Sequence, residues 1–290
     1  MPKLLTVQQF FQRFPDDDAC LAHLMKVRYG SSQTCPKCKK HGKFARLAKV
    51  PAYSCPWCGH HIHPMQGTIF EHSSTSLQKW FYAMYLFTTT RHGVSARELQ
   101  RQLGVTLKTA WRMGHKIREY MGWIDGDGPL GGKRIVEADK AFIGGKDKRG
   151  QDDKTVVLGI HERGGEIVTR VVQRRSARYV MPVIMEHVVP GSRIATDEAL
   201  PFSGLAAEGY RHSTVNHRLG EYVRGSTHTN SIEAFWAILK RSIRGTHIWV
   251  SPKYLPKYLG EFEYRHNLRK TPALMFDFLL FAFPRPDSTR

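Results

Sequence analysis

Ile135-Val136-Glu137-Ala138-Asp139-Lys140-Ala141-Phe142-Ile143 is a β-type run stopped by Gly144-Gly145. β-Branched and apolar residues suit a pleated, half-buried surface, and paired glycines punctuate it. The residues beyond it keep the same regularity. Strands are expected at Thr155–Glu162, at Glu166–Gln173 after the Gly164-Gly165 turn, and at Arg193–Asp197, with a helix at Ser176–Val188 before the last of them. This segment order predicts an α/β, mixed-sheet domain over residues 133–290.

The first strand carries Asp139, and the last ends on Asp197. A third acid, Glu233, opens the run Ser231-Ile232-Glu233-Ala234-Phe235-Trp236-Ala237-Ile238-Leu239-Lys240, whose Ile232, Phe235, Ile238 and Leu239 recur at helical spacing. Glu233 is expected beside that apolar stripe. Carboxylates on a strand, a strand end and a helix supply the hard oxygen ligands that suit Mg²⁺ or Mn²⁺. Glu137, two residues before Asp139, shares its strand face, and the residues alone do not separate the two. Glu198 is adjacent to Asp197 and is expected to point elsewhere. Lys240 follows Glu233 by two helical turns on one face and can reach a phosphate, with Arg241 beside it. His228 and Asn230 either cap this helix or touch substrate. Glu261 and Glu263 read as helix surface or ion pairs.

Composition narrows the function classes. A chain of 290 residues has room for about two domains. Lys and Arg total 44 against 25 acidic residues, a formal net charge of +19 that fits a partner rich in phosphate. The longest apolar stretch, Phe278–Phe283, is too short to span a bilayer, and Met1-Pro2-Lys3-Leu4-Leu5 lacks a secretory apolar region. A protein of the cytoplasm, associated with the nucleoid and not with a membrane, is expected.

Four of the five cysteines form Cys35-x2-Cys38 and Cys55-x2-Cys58, with Lys39 to Ser54 between the pairs. That spacing reads as a closed, structural four-thiolate Zn²⁺ site, each pair making a tight knuckle. His60, His61 and His63 are expected at the surface or facing DNA, and Cys20 as a buried thiol in the first helix, which Asp16-Asp17-Asp18 opens. From Lys26 to Lys49 run Lys26, Arg28, Lys37, Lys39, Lys40, Lys43, Arg46 and Lys49 without an acid between them. Lys37, Lys39 and Lys40 are the phosphate contacts expected of this patch.

Leu77–Phe87 has helical apolar spacing, Gly93 breaks it, and Val94–Leu103 resumes with Ser95 and Glu98 as a capping box. After Gly104-Val105-Thr106 a second helix, Leu107–Arg118, completes a helix-turn-helix pattern with Lys108, Thr109 and Arg112 near the start of the recognition element. Gly126, Gly128, Pro129, Gly131 and Gly132 mark a linker. The expected organisation is a first helix and zinc ribbon over 1–72, the helix-turn-helix over 73–124, a linker over 125–132 and the α/β domain over 133–290.

Three strands, a helix and a strand is the ribonuclease H ordering. With it come His228-x-Asn230-x-x-Glu233-x-x-Trp236-x-x-x-Lys240-Arg241, Val136-Glu-Ala-Asp139 with Phe142-Ile-Gly-Gly145, Thr196-Asp197-Glu198, and Phe262-Glu-Tyr-Arg-His-Asn267. On these blocks the chain resembles the transposases of the IS1595 insertion-sequence family, with their ISXO2-like domain. The resemblance covers nearly the whole chain. It implies an RNase H-like catalytic core and a DDE triad of Asp139, Asp197 and Glu233, and it prefers Asp139 over Glu137. Two Mg²⁺ or Mn²⁺ ions per site, transposon-end and target DNA as partners, a homodimer or higher oligomer on DNA, and a bacterial or archaeal host are implied with it. In that chemistry water frees a 3′-hydroxyl at each end, and the hydroxyl attacks target DNA. The chain departs from the family pattern at Asp139-Lys140-Ala141, where Asp-Glu-Thr is frequent. Two other classes share part of the pattern. One is an RNase H-type nuclease or resolvase that cuts without joining, and the other is a zinc-ribbon and helix-turn-helix regulator without catalysis.

Overall fold

The protein is described by a computed structural model covering residues 4–125, 128–146, 152–216, 219–221 and 223–284. Met1-Pro2-Lys3 and Gly126 of the expected linker lie outside the described residues. In chain order the elements are α1 (Val7–Arg13), α2 (Asp17–Tyr29), β1 (Gln33–Thr34), β2 (His41–Gly42), β3 (Ala45–Arg46), β4 (Tyr53–Ser54), β5 (His61–Ile62), α3 (Leu77–Thr89), α4 (Ala96–Leu103) and α5 (Leu107–Asp125). Beyond these come β6 (Val136–Lys146), β7 (Asp152–Glu162), β8 (Ile167–Val172), α6 (Ala177–His187), β9 (Arg193–Asp197), β10 (Arg211–Val215), α7 (Asn230–Ser242), α8 (Leu255–Asn267) and α9 (Met275–Ala282). The chain divides into two compact units, one of 1–90, 96–120 and 271–290, the other of 91–95 and 121–270.

The first unit is built on aromatic residues. Phe10, Phe14, Phe70, Trp80, Phe81 and Phe283 are buried, and Phe276 of α9 packs its ring on Phe10, Phe14 and Tyr85. A short helix precedes the one opened by the aspartates: Thr6 and Gln9 form a capping box on α1, and Asp16 then caps α2 by accepting from the Ala19 amide at 2.8 Å. Cys20 on α2 is fully buried, and burial pushes its thiol up to about 12. Gly104, at φ 60°, ends α4 with its amide on the Gln100 carbonyl. Thr106 starts α5, which runs past Arg118 to Asp125.

The second unit is a five-stranded mixed sheet in the order β10-β9-β6-β7-β8. β6, β7 and β8 pair antiparallel, while β9 and β10 run parallel to β6. β6 does not stop at the paired glycines: Gly144 pairs with Lys154 and Gly145 with Asp153, so the ladder to β7 carries the strand through residues that break it in isolation. β10 was not anticipated, because Arg-His-Ser-Thr-Val presents only one buried residue, Val215, on an edge strand. On one sheet face α6 packs with Val136, Ala138, Leu158, Ile160 and Ile194; on the other, α7 and α8 pack with Ala141, Ile143, Val157 and Ile167. Leu130 is buried in the first of these clusters and forms a bridge to Val188. Glu261 and Glu263 are interior and not helix surface. Glu261 pairs with Arg265 at 2.6 Å, and Glu263 accepts from the Thr169 amide at 2.6 Å.

Candidate active site

Alternation along β6 sends its odd-numbered residues to the α7 face, where Ala141 and Ile143 lie in the apolar cluster with Ile232, Phe235 and Trp236. Asp139 and Glu137 therefore face α7. β9 runs parallel to β6 with Ala138 opposite Thr196, the last pair of the ladder. Asp139 and Asp197 are each the next residue, so their carboxylates leave neighbouring strands, about 4.8 Å apart, on one face. Burial, then the negative charge of Asp197, pushes the Asp139 carboxyl up to about 6; the Lys140 amide, the Lys140 charge and Trp236 pull the other way. Lys140 turns to the opposite face, its ammonium 4.1 Å from the Phe202 ring centroid. Burial lowers its pKa while Asp197 and Asp139 raise it. A cation thus sits behind the two aspartates at the position where the family pattern often has a carboxylate.

α7 is fitted to this face by three contacts. The Trp236 indole N–H donates to Asp139 Oδ2 at 3.1 Å. Gly159 lies opposite Asp139 on β7, and a Cβ there would stand 2.5 Å from Trp236 Cζ2 and 2.9 Å from Ile232 Cδ1, so α7 needs a glycine beneath it. The third contact is Glu137. Its fully buried carboxylate accepts from Arg163 Nε at 2.6 Å on Oε1, which also lies 3.2 Å from His228 Nδ1, and from the Ser231 and Ile232 amides at 2.9 and 3.0 Å on Oε2. It caps the start of α7, where backbone N–H groups lack helical partners. Arg163 also donates to the carbonyls of Ser226 and His228. Glu137 is thereby fully engaged in fixing α7 on β6. Trp236, Gly159 and Arg163 were missed as site residues. Only Trp236 left a sequence signal, three residues after Glu233 and so on the same helix face.

Glu233 is exposed on the first turn of α7, and the Thr229 hydroxyl donates to its Oε1 at 2.7 Å. Asp139 and Asp197 are brought together, but Glu233 does not close a cluster with them: among the described residues, only the four cysteines converge as a group of three or more metal-ligating side chains. His228 reaches Glu137, not the helix end, and Asn230 is exposed at the start of α7. Lys240 is half-buried and Arg241 exposed on its last turn.

The thiolates of Cys35, Cys38, Cys55 and Cys58 lie within 4.8 Å of one another, with Cys35 and Cys58 sulfurs 3.7 Å apart and those of Cys38 and Cys55 3.8 Å apart. A tetrahedron with Zn–S bonds of about 2.3 Å has edges of about 3.8 Å, so the cage has the size of a Zn²⁺ site. The two knuckles repeat each other. Cys35 N donates to the Lys40 carbonyl and Cys55 N to that of His60, and Lys39 and Gly59, at φ 60° and 70°, donate back to the Cys35 and Cys55 carbonyls. Lys37, Lys39 and Lys40 are exposed, Lys40 lying 5.2 Å from the Trp57 ring centroid. Arg28 and Arg46 of the basic run are spent internally: Arg28 donates to the Pro64 and Gln66 carbonyls, and Arg46 pairs with Asp18 at 2.7 Å. On α5, Lys108 and Arg112 are exposed, while the Thr109 hydroxyl lies 3.0 Å from the capping Thr106 hydroxyl.

A family model described as an ISXO2-like transposase domain matches residues 124–267, and one described as a transposase zinc-ribbon domain matches residues 15–61. An uncharacterized protein in transposable element ISH50 of Halobacterium salinarum is 26% identical over 274 residues, covering 86% of this chain and 90% of that protein. An uncharacterized transposase-like protein of Haemophilus influenzae is 26% identical over 102 residues, covering 35% of this chain and 81% of that protein. Among solved structures, the simian T-cell lymphotropic virus intasome in complex with PP2A regulatory subunit B56 gamma matches at 15% identity, covering 60% of this chain and 62% of that chain, with a TM-score of 0.28, too low to speak for the fold. No helix among the described residues is long and apolar enough to cross a membrane. With the zinc ribbon and the sheet domain matched by models of one family, and a relative aligned along most of its length, the chain belongs to the IS1595 family of insertion-sequence transposases.

Proposed function

We propose that this protein is a DNA strand transferase of the DDE type: it binds transposon ends, cleaves to free 3′-hydroxyls and joins them to target DNA. The observation that carries the proposal is the pair Asp139 and Asp197, each one residue past the last rung between adjacent parallel strands and on one sheet face. The strand order β10-β9-β6-β7-β8, with three antiparallel strands followed by two parallel to the first, supports reading the sheet as an RNase H-like core. α4, the Gly104 turn and α5 support a helix-turn-helix. On this reading 1–72, 73–124 and 133–290 act as ribbon, end-reading and catalytic modules, and the protein works on DNA as a dimer or higher oligomer.

Two adjacent carboxylates on one sheet face are a donor set that fits Mg²⁺ or Mn²⁺. Asp139 and Asp197 would hold the ions, with Glu233 as third ligand. Bound there, two ions activate the attacking oxygen and stabilise the leaving one. Trp236 orients Asp139, Glu137 holds α7 in place, and Lys240 and Arg241 receive phosphates. Thr229 donates to Oε1 of Glu233, one of its two carboxylate oxygens.

The test is a strand-transfer assay with Mg²⁺ on duplexes carrying the element's flanking repeats. Asp139→Asn, Asp197→Asn and Glu233→Gln should each lose cleavage and joining while retaining end binding. Near-normal joining by the Asp197 variant would refute the active-site assignment. Cleavage without joining by the wild-type protein would instead favour a nuclease or resolvase.

A further inference from the structure

Where α7 ends, the chain passes through a single π-helical turn, Ile243–His247, and then through Ile248 at φ 65°, ψ −52°, with the Trp249 amide on the His247 carbonyl at 2.7 Å. This is the γ-turn of positive φ, rare for any residue and more so for a β-branched one. Strain of this kind persists where the surroundings enforce it, and it clusters at ligand clamps. Here it leaves Ile248 and Trp249 turned outward, 78% and 61% exposed, although both are apolar.

Ile248 and Trp249 line a cleft of about 370 Å³ together with Phe142, Ile143 and Gly144 of β6. Lys154, Lys240 and Arg244 line the same cleft. Among the described residues, no carboxylate lines it. Flat rings for a π-face together with cations for a phosphate chain form the combination that binds unpaired nucleic acid, since every base can stack and every backbone is anionic. For a chain of a transposase family, nucleic acid is the polyanion that such a cleft meets. Position adds to this, because Ile143, which also lines the cleft, is four residues beyond Asp139 on the same face of β6, about 13 Å along the strand.

We infer that this cleft captures one unpaired nucleobase of the bound DNA, stacked on Trp249, with its flanking phosphates on Lys154, Lys240 and Arg244. The inference rests on the DNA-processing function proposed above and adds to it that the substrate is distorted: a base near the scissile step is held out of the duplex.

The test uses the full zinc-loaded chain and a fluorescein-labelled duplex, either blunt or carrying a short unpaired oligothymidine tail. The tailed duplex should bind about tenfold tighter than the blunt one, and an abasic tail of the same length should recover little of that gain. Trp249→Ala should cost the tailed duplex about tenfold more than it costs the blunt one, and Trp249→Tyr should restore the difference. A tail advantage that survives Trp249→Ala, or that the abasic tail reproduces, overturns base capture, and the abasic comparison stands even if the alanine variant fails to fold. If Trp249→Ala instead lowers the sedimenting mass of the DNA-free protein and spares the tail advantage, the cleft is a contact between copies and the inference is wrong. Equal binding of blunt and tailed duplexes removes the cleft's role but leaves the proposed function standing. Binding of neither refutes that function, and the cleft's role falls with it.

Discussion

Arg163 Nε and Glu137 Oε1 meet at 2.6 Å, and the Glu137 side chain is wholly shielded from solvent. A buried carboxylate deprived of its cation is costly, so Arg163→Met should destabilise the second unit by about 3–5 kcal/mol in urea titrations. Arg163→Lys should recover only part of this, because an ammonium cannot reproduce the fork onto the Ser226 and His228 carbonyls. A loss below about 1 kcal/mol for Arg163→Met, the range of exposed ion pairs, would show that the pair does not anchor α7.

Gly159 and Trp236 should be coupled. Gly159→Ala inserts a methyl 2.5 Å from Trp236 Cζ2 and should cost about 1–3 kcal/mol by overpacking. Trp236→Phe removes the obstructing ring, so the double variant should lose less than the two single losses added together, by at least about 1 kcal/mol. Strict additivity would mean that α7 is not seated on this glycine. In strand-transfer assays Trp236→Phe should also be slow, since Phe has no N–H for Asp139.

His161 and His266 face each other in the second unit, Nε2 to Nε2 at 3.0 Å, so one ring donates and the other, neutral, accepts. Burial pulls His161 down to about 4, with Glu137 raising it and Arg269 lowering it; burial, then Arg269 and His161, pulls His266 down to about 3. Both titrate near 6.5 when unfolded, so between these values the unfolded chain binds more protons. The stability contributed by the neutral pair is complete above about pH 6.5 and is lost as pH falls toward about 4. His266→Gln should therefore shrink the drop in thermal midpoint between neutral pH and about pH 5. An undiminished drop would place the acid sensitivity elsewhere.

Protein purified without chelators should carry one zinc per chain by elemental analysis. A strong chelator should unfold the ribbon before the sheet unit, because folding of such small modules is coupled to their metal. Cys38→Ser should abolish stoichiometric zinc, and a variant that retains it would require another ligand.

DNA contacts should divide by type. Neutralising Lys37, Lys39 and Lys40 should flatten the salt dependence of binding by roughly 0.9 for each phosphate no longer neutralised, while sparing sequence preference. Replacing Lys108 and Arg112 should cost discrimination between ends and scrambled duplex, about 1–3 kcal/mol per base read. Thr109→Ala should matter less, because its hydroxyl is engaged by Thr106. Undiminished discrimination in the Lys108 and Arg112 double variant would move end reading to the ribbon.

How much of the fold is legible in the residues depends on the range of the interactions. The zinc cage was legible because two Cys-x2-Cys knuckles are local geometry, and Arg193–Asp197 was legible because its apolar centre and the glycine turn before it are local as well. The role of Glu137 was not, since its partners Arg163 and Ser231 are far along the chain and only the fold brings them to it. For the same reason Gly144-Gly145 misled: whether glycines end a strand depends on whether another strand is already paired with them. Glu233 was expected beside the apolar stripe; its hydrogen bond to the threonine one turn before it was not legible.

The ladder joining β6 to β9 finishes at Ala138 and Thr196. Past that rung the strands are no longer stitched together, and the next residue on each is an aspartate. The rest of the layer has little freedom, with β6 locked to β7 along eleven pairs and α7 tied down by Glu137. Asp139 keeps its pairing with Gly159 and Asp197 its pairing with Val215, so each carboxylate is carried by a different neighbouring strand and no backbone rung fixes the gap between them.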